Sequence, residues 1–127
     1  MTLVVDASVV AEVLLGTARG ASAVPHLEGH DLIAPQHLTA EVASVVRGWS
    51  LGGHLTEDDA LRAFREFQQL GVEQVPMIDR LPAVWALRHN LTAYDAMYVV
   101  LARVIGCRLL TLDARLAAAA PDCANVP

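Results

Sequence analysis

Residues 91–102 read LTAYDAMYVVLA, and the rest of the chain is organised around this stretch. Thr92 can cap the start of a helix, because its hydroxyl can accept a hydrogen bond from a free backbone N–H. The apolar residues that follow cover most of the helix surface, as is typical of a helix packed on several sides. Asp95 lies in the first turn, and a carboxylate is costly to bury without a compensating positive charge. Either a bound cation supplies that charge, or Asp95 is a first-turn acid that faces water.

Short apolar strands alternate with helices on both sides of this stretch. The pattern predicts strands over residues 3–5, 31–34, 72–76, 108–112 and 123–126. It predicts helices over residues 8–16, 19–27, 36–49, 56–70, 81–89, 92–105 and 115–120, with Asp79 as a cap for the helix at 81–89. Such alternation favours a parallel sheet with helices on both faces. In these sheets, ligands bind beyond the carboxyl ends of the strands.

Length and composition indicate one domain over residues 1–127, with enough apolar material for one core. Hydrophobic residues make up 54% of the chain, which excludes a disordered protein. The net charge is −5, and all nine basic residues are arginine. Because phosphate affinity normally comes from a basic surface, a nucleic-acid substrate would require metal ions or a partner to offset the acidic charge.

Cysteine usage and hydropathy point to a soluble cytoplasmic protein. Cys107 and Cys123 do not form a CxxC pair, so a zinc site is not expected and both are interpreted as small, partly buried thiols. The first residues already resemble a strand, and no charged segment of a signal peptide precedes them. The apolar run of the 92–105 helix stops at Arg103 and is far too short to span a membrane.

Four acidic residues are expected to meet at one edge of the sheet. Asp6 and Asp113 each close an apolar strand, and the carboxyl ends of parallel strands share an edge. Asp95 begins the helix before the strand that ends at Asp113, and Glu41 borders the apolar face of its helix. Taken alone, Asp6 and Asp113 can be helix caps and Glu41 a surface acid. Together, and without a lysine nearby, four carboxylates would raise one another's pKa unless divalent cations neutralised them.

Oxygen ligands without histidine or cysteine suit Mg²⁺ or Mn²⁺. Such ions lower the pKa of a bound water and stabilise an in-line displacement at phosphorus, and in two-ion sites they lie about 3.5–4 Å apart. The predicted chemistry is therefore phosphodiester hydrolysis, which needs no nucleophilic side chain.

The order of four motifs resembles the PIN-domain ribonucleases, and among them the VapC-type toxins of bacterial toxin–antitoxin pairs. The motifs are VVDAS, TAEVAS, LTAYDAMYVVLA and LLTLDARL, and the resemblance runs from Leu3 to about Leu116. It implies a three-layer α/β/α sandwich with a central, mainly parallel sheet. It also implies an endoribonuclease that depends on Mg²⁺ or Mn²⁺, a cognate VapB-like antitoxin and a homodimer.

The resemblance also implies roles for individual residues. Asp6, Glu41, Asp95 and Asp113 fall where the family binds metal and carries out catalysis. Ser8 and Thr111 fall where the family often places a hydroxyl near the metals, and Ser44 stands where many members have asparagine.

Other polar residues have two interpretations each. Arg47 and Arg115 are the basic residues nearest the acids in sequence and are candidates for contact with phosphate, or else solvated helix arginines. Glu12 is either an acid that supports the site or an ordinary helix-face residue. The five histidines show no ligand spacing and are interpreted as structural or surface residues. The apolar stripes of the helices between residues 7 and 49 are candidates for the antitoxin contact.

Two other functions are considered. A phosphoaspartyl protein, such as a receiver domain or a haloacid-dehalogenase-type phosphatase, also uses an aspartate at a strand end near Mg²⁺. VVDAS lacks the second aspartate of a DxD motif, and the chain has no lysine to pair with a phosphoryl group. A catalytically silent PIN-fold interaction module is the other alternative, and the presence of all four acids counts against it.

Overall fold

A five-stranded sheet, in which every strand runs parallel to its neighbours, forms the centre of the computed structural model, which describes all 127 residues. The strands are β1 (Thr2–Val5), β2 (Asp31–Pro35), β3 (Glu73–Val75), β4 (Arg108–Leu110) and β5 (Ala124–Asn125), in the order β3-β2-β1-β4-β5. The chain winds outward from β1 in both directions. The strand order therefore reverses between β1 and β4, where doubly wound sheets form their ligand crevice.

Helices flank this sheet, which confirms the predicted α/β/α architecture. They are α1 (Ala7–Leu15), α2 (Ala18–Leu27), α3 (Leu38–Leu51), α4 (Glu57–Leu70), α5 (Leu81–Ala86), α6 (Ala93–Ile105) and α7 (Ala114–Ala119). All seven predicted helices are present, with ends shifted by a few residues.

Two local predictions are wrong. Asp79 does not cap α5, because it lies inside a 3-10 turn, Ile78–Arg80, that leads into the helix, and no side chain caps α5. β4 ends at Leu110 rather than at residue 112, so two residues separate it from Asp113. Beyond β4, the Thr111 hydroxyl donates a hydrogen bond to Asp6 and the backbone N–H of Leu112 donates one to Ser8, both in the segment after β1.

The hydrophobic core lies around β1 and α6. Val4, Val5 and Leu109 on the central strands are essentially inaccessible, as are Tyr98 and Val99 on α6. Burying a side chain of this size stabilises the fold by about 1.5–3 kcal/mol relative to an exposed one. α6 contacts β1, β2 and β4, and this packing fixes where its first turn, with Asp95, sits relative to the sheet.

Both ends of α6 have the predicted signals. The Thr92 hydroxyl accepts a hydrogen bond from the backbone N–H of Asp95 at 3.1 Å. The helix ends at Gly106, which has a φ of 76°, a left-handed conformation that glycine adopts without a steric penalty. α6 thus begins two residues before Asp95 and ends before β4.

The corner between α1 and α2 requires glycine. The hydroxyl of Thr17 caps α2, and the next turn brings Gly20 against the backbone of Glu12 on α1. A Cβ at residue 20 would lie 2.1 Å from the carbonyl oxygen of Glu12, so any larger residue would push the helices apart.

No single helix is long and apolar enough to cross a membrane. α1 and α2 reach the required length and composition only as a pair, and a bend of 113° separates them.

Gly20→Ala is expected to lower the free energy of unfolding by about 1–3 kcal/mol, because its Cβ overlaps backbone atoms that have no room to move. Gly48→Ala is the matched control. A Cβ at residue 48 of α3 meets no atom within 4 Å, so alanine should stabilise that helix by up to about 1 kcal/mol. Urea denaturation of both variants measures the two effects. A destabilisation that is equal in both variants would contradict the steric explanation.

Candidate active site

A cleft of about 480 Å³ opens beside the carboxyl end of β1, at the point where the strand order reverses. Its lining includes all four acidic residues predicted from the sequence: Asp6, Glu41, Asp95 and Asp113. Side chains far apart along the chain therefore converge on one cavity. The cleft is the strongest candidate for the functional site because it combines this convergence with the position that parallel sheets use for ligands.

Asp6 is buried in the floor of the cleft, with 5% of its surface exposed. Its Oδ1 accepts hydrogen bonds from the Ser8 hydroxyl at 2.6 Å and from the backbone N–H of Val9 at 3.2 Å. Its Oδ2 accepts a short hydrogen bond from the Thr111 hydroxyl. Asp6 thus caps α1 and lines the cleft at the same time, so the two interpretations of this residue are compatible.

The same hydroxyls bind the segment after β4 to Asp6. The Ser8 oxygen accepts a hydrogen bond from the backbone N–H of Leu112 at 2.9 Å. The Thr111 oxygen accepts one from the backbone N–H of Asp113 at 3.0 Å. Ser8 and Thr111 therefore lie beside the acids, as the sequence resemblance implied, and they hold Asp6 and Asp113 in a fixed relation.

Asp113 caps α7 while it lines the cleft. Its Oδ1 accepts hydrogen bonds from the backbone N–H groups of Arg115 and Leu116, at 2.9 and 3.4 Å. Its other oxygen makes no hydrogen bond within the protein and remains available to a ligand.

Glu41 projects from α3 and contacts two aromatic residues. The Tyr98 hydroxyl donates a hydrogen bond to its Oε1 at 2.7 Å. His37 Nε2 lies 3.2 Å from the same oxygen, but neither ring nitrogen of His37 has the geometry of a hydrogen bond. Burial alone would raise the pKa of Glu41, yet His37 and the Tyr98 hydroxyl together lower it. Burial and the contact with Glu41 hold the pKa of Tyr98 far above its usual range, so its hydroxyl keeps its proton.

The carboxylates are close enough to perturb one another. Burial raises the pKa of Asp95, and repulsion from Asp113 and Glu41 raises it further. Burial is also the main reason why the pKa of Asp6 is raised, and repulsion from Asp95 raises it further. The hydrogen bonds to Asp6 favour its charged form and offset only part of this shift. The protein's own contacts therefore do not fully offset the cost of holding Asp6 and Asp95 charged in the cleft.

The two arginines singled out from the sequence occupy different places. Arg115 Nε lies 3.6 Å from Asp113 Oδ1, with its side chain 93% exposed. Arg47 does not line the cleft. It follows Glu41 by six residues, which is about one and two-thirds helical turns, so nearness in sequence placed it on a different face of α3. Of the two interpretations of Arg47, its position favours a solvated helix arginine.

Arg19 and Glu12 together support the segment after β4, and nothing in the sequence singled out Arg19 for this role. The Arg19 guanidinium donates a hydrogen bond to the backbone carbonyl of Leu112 and pairs with Glu12 Oε2 at 3.3 Å. Glu12 Oε1 accepts a hydrogen bond from the Thr17 hydroxyl at 3.2 Å. The close approach at Gly20 sets this arrangement, since it seats the first turn of α2 against Glu12. Glu12 thus supports the site through Arg19 instead of being an ordinary helix-face residue.

Three further cleft residues were not predicted: His37, Tyr94 and Tyr98. Tyr94 directly precedes Asp95, and Tyr98 follows it by three residues. The two tyrosines are therefore four residues apart and neighbours on the helix, and this spacing was the only available signal. His37 precedes α3 by one residue and gave no signal, because a lone histidine has no characteristic spacing.

The donors of the cleft suit a hard divalent cation. All four are carboxylates, and Glu41 Oε2 and Asp113 Oδ2 accept no hydrogen bond. In the present side-chain conformations, no group of three or more His, Cys, Asp or Glu side chains is arranged to hold a metal ion. Coordination by three or more of these side chains would therefore require side-chain rotation. A bound cation would offset the repulsion between the carboxylates and stabilise their charged forms. In charge and in ligand type, the residues therefore fit such an ion.

Asp95→Asn is expected to raise the melting temperature at neutral pH in the presence of a chelator. Because the pKa of Asp95 is raised in the folded state, the folded protein binds the proton more tightly, and stability falls as pH rises through that pKa. Removing the charge avoids this loss. The gain should shrink as pH falls and vanish below the ordinary pKa of an aspartate, since both states are protonated there.

Thermal melts across this pH range measure the effect. Asp58→Asn is the control, because it removes the same charge from the exposed first turn of α4 and should give no gain. A lower melting temperature for Asp95→Asn at neutral pH would contradict the repulsion.

Comparison with known proteins identifies relatives over nearly the whole chain. The model of the PIN domain matches residues 3–121. Ribonuclease VapC1 of Mycobacterium tuberculosis is 41% identical over 120 residues, which cover 91% of this chain and 89% of that protein. Ribonuclease VapC3 of the same organism is 38% identical over 121 residues, covering 94% and 88%. VapC ribonuclease Mb0985 of Mycobacterium bovis is 36% identical over 116 residues, covering 90% and 87%.

The fold also has a counterpart among solved structures. The crystal structure of PAE2754 from Pyrobaculum aerophilum matches with a TM-score of 0.72 and 23% sequence identity, covering 98% of this chain and 83% of that one. At this identity the likeness concerns the fold alone. The family model and the sequence relatives carry the assignment further: the chain belongs to the PIN-domain family and, within it, to the VapC ribonucleases.

Proposed function

We propose that this protein is an endoribonuclease that depends on Mg²⁺ or Mn²⁺ and acts as the toxin of a toxin–antitoxin pair, inhibiting growth by cleaving cellular RNA. The observation that carries the proposal is the convergence of four carboxylates on one cleft in a chain without lysine. The names of the VapC relatives support ribonuclease activity. The proposal takes residues 1–127 as a single PIN domain in the cytoplasm.

Asp6, Glu41, Asp95 and Asp113 would hold the ions. When bound, the ions supply charge stabilisation at the phosphate and a water of lowered pKa. The protein's own contribution is to position the ligands. Ser8 and Thr111 hold Asp6 through its two oxygens, and Tyr98 fixes one oxygen of Glu41 and leaves the other free.

Binding of RNA by so acidic a protein requires those ions. No arginine lines the cleft, and Arg115, at its edge, is already paired with Asp113. Without cations, the carboxylates would repel the phosphates of the substrate. The ions therefore serve substrate binding as well as the chemistry.

The proposed partners are a VapB-like antitoxin and a second copy of the chain. The apolar stripe of α1 is already buried in the core, with Val9, Val10 and Leu14 almost inaccessible. Within residues 7–49, the antitoxin contact would therefore use α2 and α3 more than α1. Elsewhere, exposed apolar side chains such as Ile78 and Leu51 offer surface for a second chain.

A silent interaction module is the alternative function. The raised pKa values of Asp6 and Asp95 argue against it, because a domain that served only as a scaffold would gain stability by losing these charges. A phosphoaspartyl protein is disfavoured because VVDAS lacks the second aspartate of a DxD motif and the chain has no lysine to pair with a phosphoryl group.

Asp6→Asn and Asp95→Asn are each expected to abolish RNA cleavage in Mg²⁺ or Mn²⁺, while the variants remain folded. The loss should be at least about 10²-fold, since each change removes one charged ligand from a site whose function depends on charge. Fragments of total RNA, incubated with the purified protein, are quantified on a denaturing gel.

Asp58→Asn is the matched control and should cleave at the wild-type rate, because Asp58 lies on α4 outside the cleft. Circular dichroism checks the fold of each variant. The proposal fails if either cleft variant cleaves RNA as fast as the wild type, or if the wild type cleaves equally well in a chelator.

A further inference from the structure

The cleft has a second wall of different chemistry, opposite in character to the acids. Tyr94 lines the cleft with 61% of its surface exposed. It directly precedes Asp95 in the first turn of α6, so its ring lies near the negative cluster without being part of it. Its open ring is therefore accessible to a ligand that occupies the cleft.

Aromatic contacts support Tyr94 from behind. Its ring centroid lies 5.5 Å from that of His37, with the two rings tilted by 53°. The His37 ring in turn packs edge-on against Tyr98, with a centroid distance of 5.0 Å. Tyr98 is fully buried and hydrogen-bonded to Glu41, so the stack is anchored to the core. The Tyr94 ring is therefore backed by packed side chains while most of its surface stays open.

The neighbouring surface of α3 is small and weakly polar. Ala40, Ser44 and Val45 line the same cleft as Tyr94, and none of them is large or charged. A charged group of a ligand would find no opposite charge on these α3 residues. The phosphate of a ligand would instead lie against the carboxylates and their ions. The two walls together match a nucleotide, with its phosphate on one side and its base on the other.

We propose that Tyr94, supported by His37, is a stacking platform for one unpaired nucleobase of the RNA, next to the bond that is cleaved. This subsite rests on the proposed function. Stacking of a base on an aromatic ring needs no positive charge, and alanine substitution of such rings typically weakens binding roughly 5- to 150-fold per base. It thus supplies affinity to a protein that lacks a basic surface.

The subsite defines a class of substrate. A base within a duplex is already stacked on its neighbours and cannot turn toward a protein ring without unpairing. Tyr94 therefore selects single-stranded segments such as loops and ends. Among the small residues of α3 only Ser44 can form a hydrogen bond with a base, so the platform distinguishes paired from unpaired bases more strongly than it distinguishes sequences.

The test is the binding of a short unstructured RNA, labelled with a fluorophore and measured by anisotropy in the presence of Mg²⁺. Tyr94→Ala should raise the Kd roughly 5- to 150-fold. Tyr94→Phe, which keeps the ring, should bind nearly as tightly as the wild type. Trp85→Ala is the control, because Trp85 is an exposed aromatic residue on α5 that does not line the cleft. It should leave the Kd unchanged.

A second measurement separates stacking from a structural effect. RNAs with a single abasic site, placed in turn at each position around the mapped cleavage bond, should bind the wild type more weakly at one position. Tyr94→Ala should lose nothing further at that position, since the platform and its base form one interaction. A hairpin that pairs the same base should bind the wild type as weakly as the abasic RNA does.

Equal binding by the wild type and Tyr94→Ala would overturn the subsite, and so would an equal loss at every abasic position in both proteins. Absence of RNA binding by the wild type would also overturn it. If binding depends on Tyr94 but no RNA is cleaved in Mg²⁺ or Mn²⁺, the proposed nuclease function fails and the subsite stands.

Discussion

The free-energy cost of keeping buried carboxylates charged in one cleft is the constraint on which the rest of the structure depends. Asp6 is 5% exposed, and three donors within the protein, from Ser8, Val9 and Thr111, compensate only part of the cost of burying it. Its pKa stays raised, mainly through burial and further through Asp95. Such an arrangement stores unfavourable energy in the folded protein, and a bound divalent cation would release it. Marginally stable proteins keep a cost of this kind where function requires it.

The strands and helices around the cleft hold the acids together in spite of this cost. β1 and β4 end beside one another, and α6 packs across them, so that three of the acids meet at the reversal of strand order. Asp6 and Asp113 each cap a helix with the same side chain that lines the cleft. Farther out, Arg19 holds the carbonyl of Leu112, whose N–H binds Ser8. The caps and hydroxyls thus join stability and site geometry in the same atoms, and most single changes near the cleft will affect both.

Local signals in the sequence were sufficient for the fold and for the acids. Alternating apolar strands and capped helices predicted the parallel sheet, and a strand-end aspartate in such a sheet has only one edge to occupy. Contacts between distant segments left no such signal. Arg19 reaches Leu112 only because Gly20 lets two helices touch, and His37 joins the site through its packing on two tyrosines. Arg47 is near Glu41 in sequence but does not line the cleft, because nearness along a helix says little about the direction of a side chain.

The most direct test of the central claim is Mn²⁺ binding, measured by titration calorimetry in the absence of RNA. Wild-type protein should bind the ion at the cleft, and neutralising any one of Asp6, Glu41, Asp95 or Asp113 to its amide should weaken that binding at least about tenfold, because each removes one charged oxygen ligand. Neutralising Asp58, which lies outside the cleft, should not. Wild-type protein that binds no Mn²⁺, or amide variants that bind it as tightly as the wild type, would contradict the account.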